Sequence, residues 1–254
     1  MSRSVVVTGC GRGIGHAIAT RLSADGWRVV GIEGDPGRAS DLRTDGIADV
    51  VTGDVSAPDT HAEAVSRATA VAPLLGWVNN AGVVGETPLH DPDRELVERT
   101  IAMNLLETFW RCSAAVREFV ARGSGGAIVN ISSIHGTRAV RDGTAAYDAS
   151  KASIEAVTRY VAIAYARRGV RANAVAPAGV RTELFDEYLA TVDDPETVRD
   201  AAVAAHPIGR IAEPSEIGAV VSFLLGDESS FVTGAVVRAD GGAVACGGPF
   251  SAEV

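Results

Sequence analysis

The sequence predicts an α/β fold, a doubly wound parallel sheet of about seven strands with helices on both faces. Short β-branched runs alternate with stretches of ten or more residues whose apolar positions recur at helical spacing, the order that parallel strands joined by right-handed crossovers require. No internal repeat, low-complexity tract or Pro/Ser-rich linker divides the 254 residues, and α/β chains of this length close around one core. Hydrophobic residues make up 46% of the chain and aromatics only 5%, which suits Val-rich buried strands covered by Ala-rich helices. A single domain, residues 1–254, is the expectation.

SVVVT, from Ser4 to Thr8, is the first strand; glycines end it, and a helix runs from Ile14 to Ala24. Trp27 to Glu33 is the second strand, a helix follows Pro36, and Ala48 to Thr52 is the third strand, leading to Gly53-Asp54. Pro58 stands where a first helical turn tolerates a missing N–H, so the next helix reaches about Ala70, before a fourth strand from Leu74 to Asn79. Asp91 and Pro92 announce one long helix from about Asp93 to Ala121, which Gly123 stops. Ala127 to Ser132 is the fifth strand, Ala146 to Arg168 a helix ended by Gly169, and Val170 to Ala176 the sixth strand. A helix from Glu216 to Leu225 and a strand from Ala235 to Ala239 complete the alternation. Thr182 to Pro207 is polar and helix-like but has no strand. An insertion after a strand's carboxyl end lies above the ligand crevice of such a sheet, so residues 183–207 are the expected substrate lid.

The formal net charge of −9 opposes nonspecific attraction to nucleic acid or an anionic membrane and leaves small molecules as the expected partners. Cys10, Cys112 and Cys246 are too few and too scattered for a metal cluster or a disulfide framework, and they read as reduced thiols in a cytoplasmic protein. The N-terminus enters its Val-rich run after one arginine, without a cleavage signal, and no stretch reaches the ~20 apolar residues of a membrane helix.

Between the first strand and the first helix lies Thr8-Gly9-Cys10-Gly11-Arg12-Gly13-Ile14-Gly15. Small residues there let the backbone pass close to a pyrophosphate, and the helix N-terminus offers it unpaired N–H groups; the plainer reading is a tight turn. The spacing T-G-x-x-x-G-x-G resembles the fingerprint of the short-chain dehydrogenase/reductase family, Rossmann-type enzymes that move a hydride between NAD(P) and an alcohol/carbonyl pair. The resemblance implies cofactor contacts from Gly9, Arg12, Gly13, Ile14 and Gly15. It places the family's acidic residue at Glu33, where a carboxylate accepts from ribose hydroxyls and repels a 2′-phosphate, implying NAD rather than NADP. Asp35 competes for the ribose, and Arg12 is a basic residue of the kind seen in NADP-preferring relatives. Asp54 and Val55 resemble the pair that forms the adenine cleft, while Asp54 also reads as an N-cap or turn residue. Asn79-Asn80-Ala81-Gly82 resembles the family's N-N-A-G, in which Asn80, Ala81 and Gly82 lie against the cofactor ribose.

Tyr147 and Lys151 stand four residues apart, on one face of a helix. A phenol of pKa ~10 is a poor proton carrier at neutral pH, and a neighbouring ammonium stabilises the phenolate and draws that value down. Such spacing alone is more often a surface pair. Here Ser132 and Ser133 end the fifth strand upstream, and the order I-S-S then Y-x-x-x-K resembles the family's reacting centre. The resemblance implies that Ser133 holds the substrate oxygen, that Ser132 supports it, and that Tyr147 exchanges the proton while Lys151 binds the nicotinamide ribose. It adds Asn104, through a backbone carbonyl holding a water joined to Lys151; the local alternative is a helix-interior polar group satisfying itself. Pro177-Ala178-Gly179-Val180-Arg181-Thr182 resembles the loop beside the nicotinamide, with contacts implied from Pro177, Val180 and Thr182 and with Ala178 where a glycine is usual.

Among the remaining residues, His135 borders the serine region without metal-ligand spacing, and Trp77 and Trp110 read as packing. Arg138, Arg141 and Arg181 are either surface charges or attractors of an acidic substrate. Asp240-Gly241-Gly242 resembles the family's D-G-G, a fold or oligomer contact rather than part of the chemistry. The resemblance runs from Thr8 to Gly242 and implies an NAD-dependent oxidoreductase acting on a secondary alcohol or ketone, as a homotetramer. The runner-up is an NADPH-dependent 3-oxoacyl-thioester reductase. A dinucleotide-binding regulatory protein without turnover is the alternative from another class, against which the Ser-Tyr-Lys set argues.

Overall fold

Residues 2–44 and 46–246 are described by a computed structural model; Met1, Asp45 and residues 247–254 of the expected domain lie outside the described residues. The first half of the chain forms β1 (Arg3–Thr8), α1 (Gly13–Ala24), β2 (Trp27–Glu33), α2 (Pro36–Thr44), β3 (Asp49–Thr52), α3 (Pro58–Val71) and β4 (Leu74–Asn79). The second forms α4 (Arg94–Ile101), α5 (Glu107–Arg122), β5 (Gly126–Ile131), α6 (Ala145–Ala164), β6 (Val170–Pro177), α7 (Glu183–Leu189), α8 (Pro195–Ala204), α9 (Pro214–Leu225) and β7 (Val236–Ala239). All seven strands join one sheet in the order β3-β2-β1-β4-β5-β6-β7, each pair parallel. The winding reverses between β1 and β4, which opens a crevice at their carboxyl ends.

The strands alternate their side chains between two cores. Val5 and Val7 enter a layer beneath α1 and α9 with Ile18, Leu22, Ile217 and Leu224. Val6 enters the opposite layer with Trp77, Ala115, Phe119 and Val161, beneath α5 and α6. This period of two explains why the central strands are apolar throughout: both faces are covered. Trp77 is buried and donates to Asn79 Oδ1 at 2.8 Å. Trp110 is not core packing; it is 57% exposed on α5, edge-on to Phe109.

The one long helix expected over 93–121 is two helices joined by a π turn, Ala102–Leu106. Asp93 caps α4 by accepting from the Leu96 N–H, and the Glu107 N–H reaches back five residues to the Ala102 carbonyl. Asn104, at the centre of the turn, is tied sideways rather than along the axis. Its Oδ1 accepts from the Val83 N–H, and its Nδ2 donates to the Val83 carbonyl and to Ser150 Oγ. The side chain thus joins the loop after β4 to α6, and the ladder widens to allow it. The strandless segment after β6 contains α7 and α8, each with a side-chain N-cap, Thr182 and Asp194. Among the described residues no helix is long and apolar enough to cross a membrane.

Candidate active site

A cleft of about 660 Å³ lies at the carboxyl ends of the central strands. Its floor at β1 is bare backbone for steric reasons. A Cβ on Gly15 would stand 1.9 Å from the Gly9 carbonyl oxygen and 2.5 Å from Asn80 Nδ2. Gly13 takes φ +53°, and its missing Cβ would meet the Thr182 methyl at 3.2 Å, so only glycine fits either position without strain. Thr8 Oγ1 accepts from the N–H groups of Asn80 and Ala81 at 3.0 Å, and Asn80 Nδ2 donates to the carbonyls of Thr8 and Gly9. The glycine loop and the N-N-A-G turn are therefore one stitched unit lining the cleft, with Ile14 and Gly82 beside them.

Glu33, at the end of β2, is buried and lines the cleft, its Oε2 accepting from the Gly11 N–H at 2.8 Å and its Oε1 from the Asp35 N–H at 3.0 Å. A carboxylate has about four acceptor sites, so capacity remains for further donors. Asp35 is exposed and caps α2 by accepting from the Gly37 and Arg38 N–H groups, which sets it apart from the cleft. Arg12 reaches over the cleft to Glu187 on α7 at 2.5 Å. Asp54 lines the cleft with Val55, and its Oδ1 accepts from the Ser56 N–H and Oγ; it is a turn residue, and the N-cap of α3 is Ala57.

At the other end of the cleft, Ser133, Tyr147 and Lys151 line it together, and Ser133 Oγ accepts from the His135 N–H at 3.3 Å. Ser132 turns instead toward Glu155 Oε1 (3.1 Å) and the Lys151 carbonyl. Lys151 Nζ donates to the Ile131 carbonyl at 2.9 Å and lies 5.4 Å from the Tyr147 ring centroid. Burial, aided by the charge of Arg111, brings the Lys151 ammonium down to about 8. The same burial pushes the Tyr147 phenol up to about 12, outweighing the opposing effect of the Ser133 hydroxyl. The expected lowering of the phenol by its neighbour is thus absent here, because desolvation disfavours the charged form of both groups. His135 stands beside them, its Nδ1 2.6 Å from Asp148 Oδ1 and its ring edge-on to Tyr147.

The loop after β6 pairs with Ala212 through the flanking residues: the Ala212 N–H donates to the Gly179 carbonyl and the Arg181 N–H to the Ala212 carbonyl. That parallel bridge turns the N–H and C=O of Val180 itself to the opposite edge. Pro177, Ala178 and Thr182 line the cleft. Ala178 brings no backbone strain, since no non-glycine residue among those described has positive φ. Arg138 donates to the Ala243 carbonyl, Arg141 pairs with Glu86 and Arg181 with Glu213, so all three carry partners within the chain.

The family model described as enoyl-(acyl carrier protein) reductase matches residues 9–244. The chain belongs to the short-chain dehydrogenase/reductase family. It is 38% identical to 2-(S)-hydroxypropyl-CoM dehydrogenase 3 of Xanthobacter autotrophicus, over 95% of this chain and 96% of that protein. It is 37% identical to galactitol 2-dehydrogenase (L-tagatose-forming) of Cereibacter sphaeroides, over 93% and 92%. The crystal structure of levodione reductase superimposes with a TM-score of 0.89 at 29% identity, covering 96% of this chain and 98% of that one.

As a member of this family the protein is an oxidoreductase with an NAD(P)-binding fold, and the bare glycine cradle fits such a dinucleotide. Sequence reasoning missed several residues of this short-chain dehydrogenase/reductase. Arg38, on α2, lines the cleft near Glu33, and Met103 lines it from the π turn. His206 is buried and holds the loop after β6, its Nε2 accepting from the Gly179 N–H at 3.0 Å while its Nδ1 faces the Ala202 carbonyl. Arg111 is wholly buried. A signal for it existed: Thr108, Arg111, Cys112, Ala115 and Phe119 form the buried stripe of α5, and an arginine at a core position of an amphipathic helix marks an engaged cation.

Proposed function

We propose that this enzyme is an NAD-preferring secondary-alcohol dehydrogenase/carbonyl reductase whose catalytic residues are Asn104, Ser133, Tyr147 and Lys151. The observation that carries the reading is the convergence of Ser133, Tyr147 and Lys151 in the same cleft as the glycine cradle. The relatives named above act on secondary hydroxyls by their names, a 2-hydroxypropyl group and the 2-position of galactitol, in keeping with such a substrate. In this reading Gly9, Gly13, Ile14 and Gly15 hold the pyrophosphate and Glu33 the adenosine ribose. Asp54 and Val55 flank the adenine, Asn80, Ala81 and Gly82 back the cofactor, and Pro177, Val180 and Thr182 face the carboxamide. Nicotinamide, when bound, supplies the hydride acceptor or donor.

With its phenol near 12, Tyr147 is protonated at neutral pH and set to donate to a carbonyl oxygen, the reducing direction. Taking up a proton from an alcohol requires that value to fall, for which the Lys151 ammonium is placed across the ring. Ser133 Oγ steadies the substrate oxygen while charge develops there. The Asn104 side chain is occupied by Val83 and Ser150, so its role falls to its backbone within the π turn.

The preference for NAD rests on Glu33 and on the engagement of Arg12 by Glu187. Arg38 beside Glu33 favours the second reading, an NADPH-dependent 3-oxoacyl-thioester reductase, because a guanidinium there suits a 2′-phosphate. α7 and α8 are the proposed lid over a single domain, with Arg12–Glu187 tying α7 to the glycine loop. Cys10 and Cys112 are buried thiols outside any disulfide, as suits the cytoplasmic location proposed for the enzyme. Fluorescence titration should show NADH binding more tightly than NADPH; equal or reversed affinities would select the second reading. Tyr147→Phe should leave NADH binding intact and abolish turnover of any secondary alcohol or ketone found by screening, and retained turnover would remove Tyr147 from the chemistry.

A further inference from the structure

Arg111 is not part of the cleft wall, yet each of its hydrogen bonds goes to a residue that is. Its Nε donates to the Val55 carbonyl at 3.4 Å, its Nη1 to the Ala81 carbonyl at 3.2 Å, and its Nη2 to Met103 Sδ at 3.4 Å. Val55, Ala81 and Met103 all line the cleft, and they come from three different segments: the turn after β3, the N-N-A-G turn after β4 and the π turn between α4 and α5. A buried guanidinium is costly unless paired. In this protein the charge finds carbonyls beneath the cofactor cleft rather than a carboxylate in direct contact.

We propose that Arg111 is a positioning residue for the cofactor, a cation set under the floor of the cleft that holds the turns after β3 and β4 in mutual register. The proposal rests on the dinucleotide-binding reading above. Ala81 is held by Arg111, and Lys151 Nζ lies 3.8 Å from where a Cβ on the next residue, Gly82, would stand. Charged and titratable neighbours come from every side. Glu107 and Cys112 share its helix, Asp54 follows β3, His61 on α3 meets the Val55 carbonyl at 2.6 Å, and Lys151 sits on α6. Glu107 Oε2 is buried without a hydrogen-bond partner, so its carboxylate balances the cation from a distance instead of drawing it off the carbonyls.

Lysine and methionine separate the two parts of this role. A lysine keeps the charge but lacks the planar fork that reaches two carbonyls at once; methionine keeps bulk and loses both. NADH affinity is read by fluorescence titration across about pH 6.5 to 9.5, bracketing the Lys151 ionisation, with folding checked by circular dichroism and urea melts. Arg111→Met should weaken NADH binding about tenfold or more at neutral pH, while turnover at saturating cofactor changes far less. Its pH inflection near that of Lys151 should also move to higher pH, because the neighbouring positive charge is gone. Arg111→Lys should weaken binding with the inflection left in place. Should the methionine variant fail to fold, the lysine variant carries the test. Folded variants with wild-type NADH affinity and only a lowered urea midpoint would overturn the proposal, since Arg111 would then be structural alone. A wild-type chain that binds neither NADH nor NADPH would instead overturn the dinucleotide reading itself.

Discussion

Burial and the charge of Arg111 bring Lys151 down to about 8, so this side chain changes charge just above neutrality. A lysine with a depressed value carries its proton below that pH and loses it above. Because an ammonium donates to ribose hydroxyls more strongly than an amine does, NADH affinity should fall as the pH passes about 8. Lys151→Met should flatten that fall, and an undiminished inflection in titrations would assign it to another group. At Gly15 the constraint is steric. With a Cβ 1.9 Å from the Gly9 carbonyl oxygen, Gly15→Ala should cost about 1–3 kcal/mol or more in urea melts and strongly reduce NADH binding. Wild-type stability and affinity together would show that the loop yields freely. The glycines, Glu33 and the Tyr-Lys spacing were legible as residues because each acts through its own chain position. Arg111 and His206 were not, since their partners lie 30 and 27 positions away, and Thr8, legible as a motif residue, gave no sign of its partners 72 positions on.

Among the elements, α8 reaches the chemistry only through its end. His206 follows it, accepts the Gly179 N–H and faces the Ala202 carbonyl, which joins the proposed lid to the loop after β6. Loss of the acceptor leaves a buried N–H unpaired, worth about 1–3 kcal/mol. His206→Phe should therefore lower stability by that order and raise the KM for the cofactor, whereas His206→Gln, which retains an acceptor, should recover part of both. Equal behaviour of the two variants in melts and kinetics would remove the hydrogen bond from the account. The strands and most helices were readable because periodicity of two or of helical spacing is a local property. The π turn was not, because Asn104 widens the ladder to meet Val83 and Ser150, contacts that exist only once β4, α5 and α6 are packed.

At the scale of the whole molecule, α5 and α6 leave an apolar face uncovered. Trp110 and Phe109 are 57% and 48% exposed there, and Tyr160 and Ile163 are 64% and 81% exposed. Exposed apolar patches of this kind favour association, and we propose that a homotetramer of this chain covers this one. Ile163→Glu should lower the mass measured by sedimentation or light scattering, with the thermal midpoint of the separated subunit below that of the assembly. A monomeric wild type would refute the expectation. By itself the sequence determined the strand order of appearance, the parallel class of the sheet and the glycine-rich turn, since alternation and small residues are written locally, and family resemblance singled out the proposed reacting trio. Only the tertiary structure decided that Ser132 is engaged by Glu155, that Arg12 is held by Glu187, and that desolvation pulls Lys151 and Tyr147 in opposite directions. The reason is physical. Burial and partner choice depend on which distant segments close over a side chain, and that is a property of the packed chain rather than of any stretch of it.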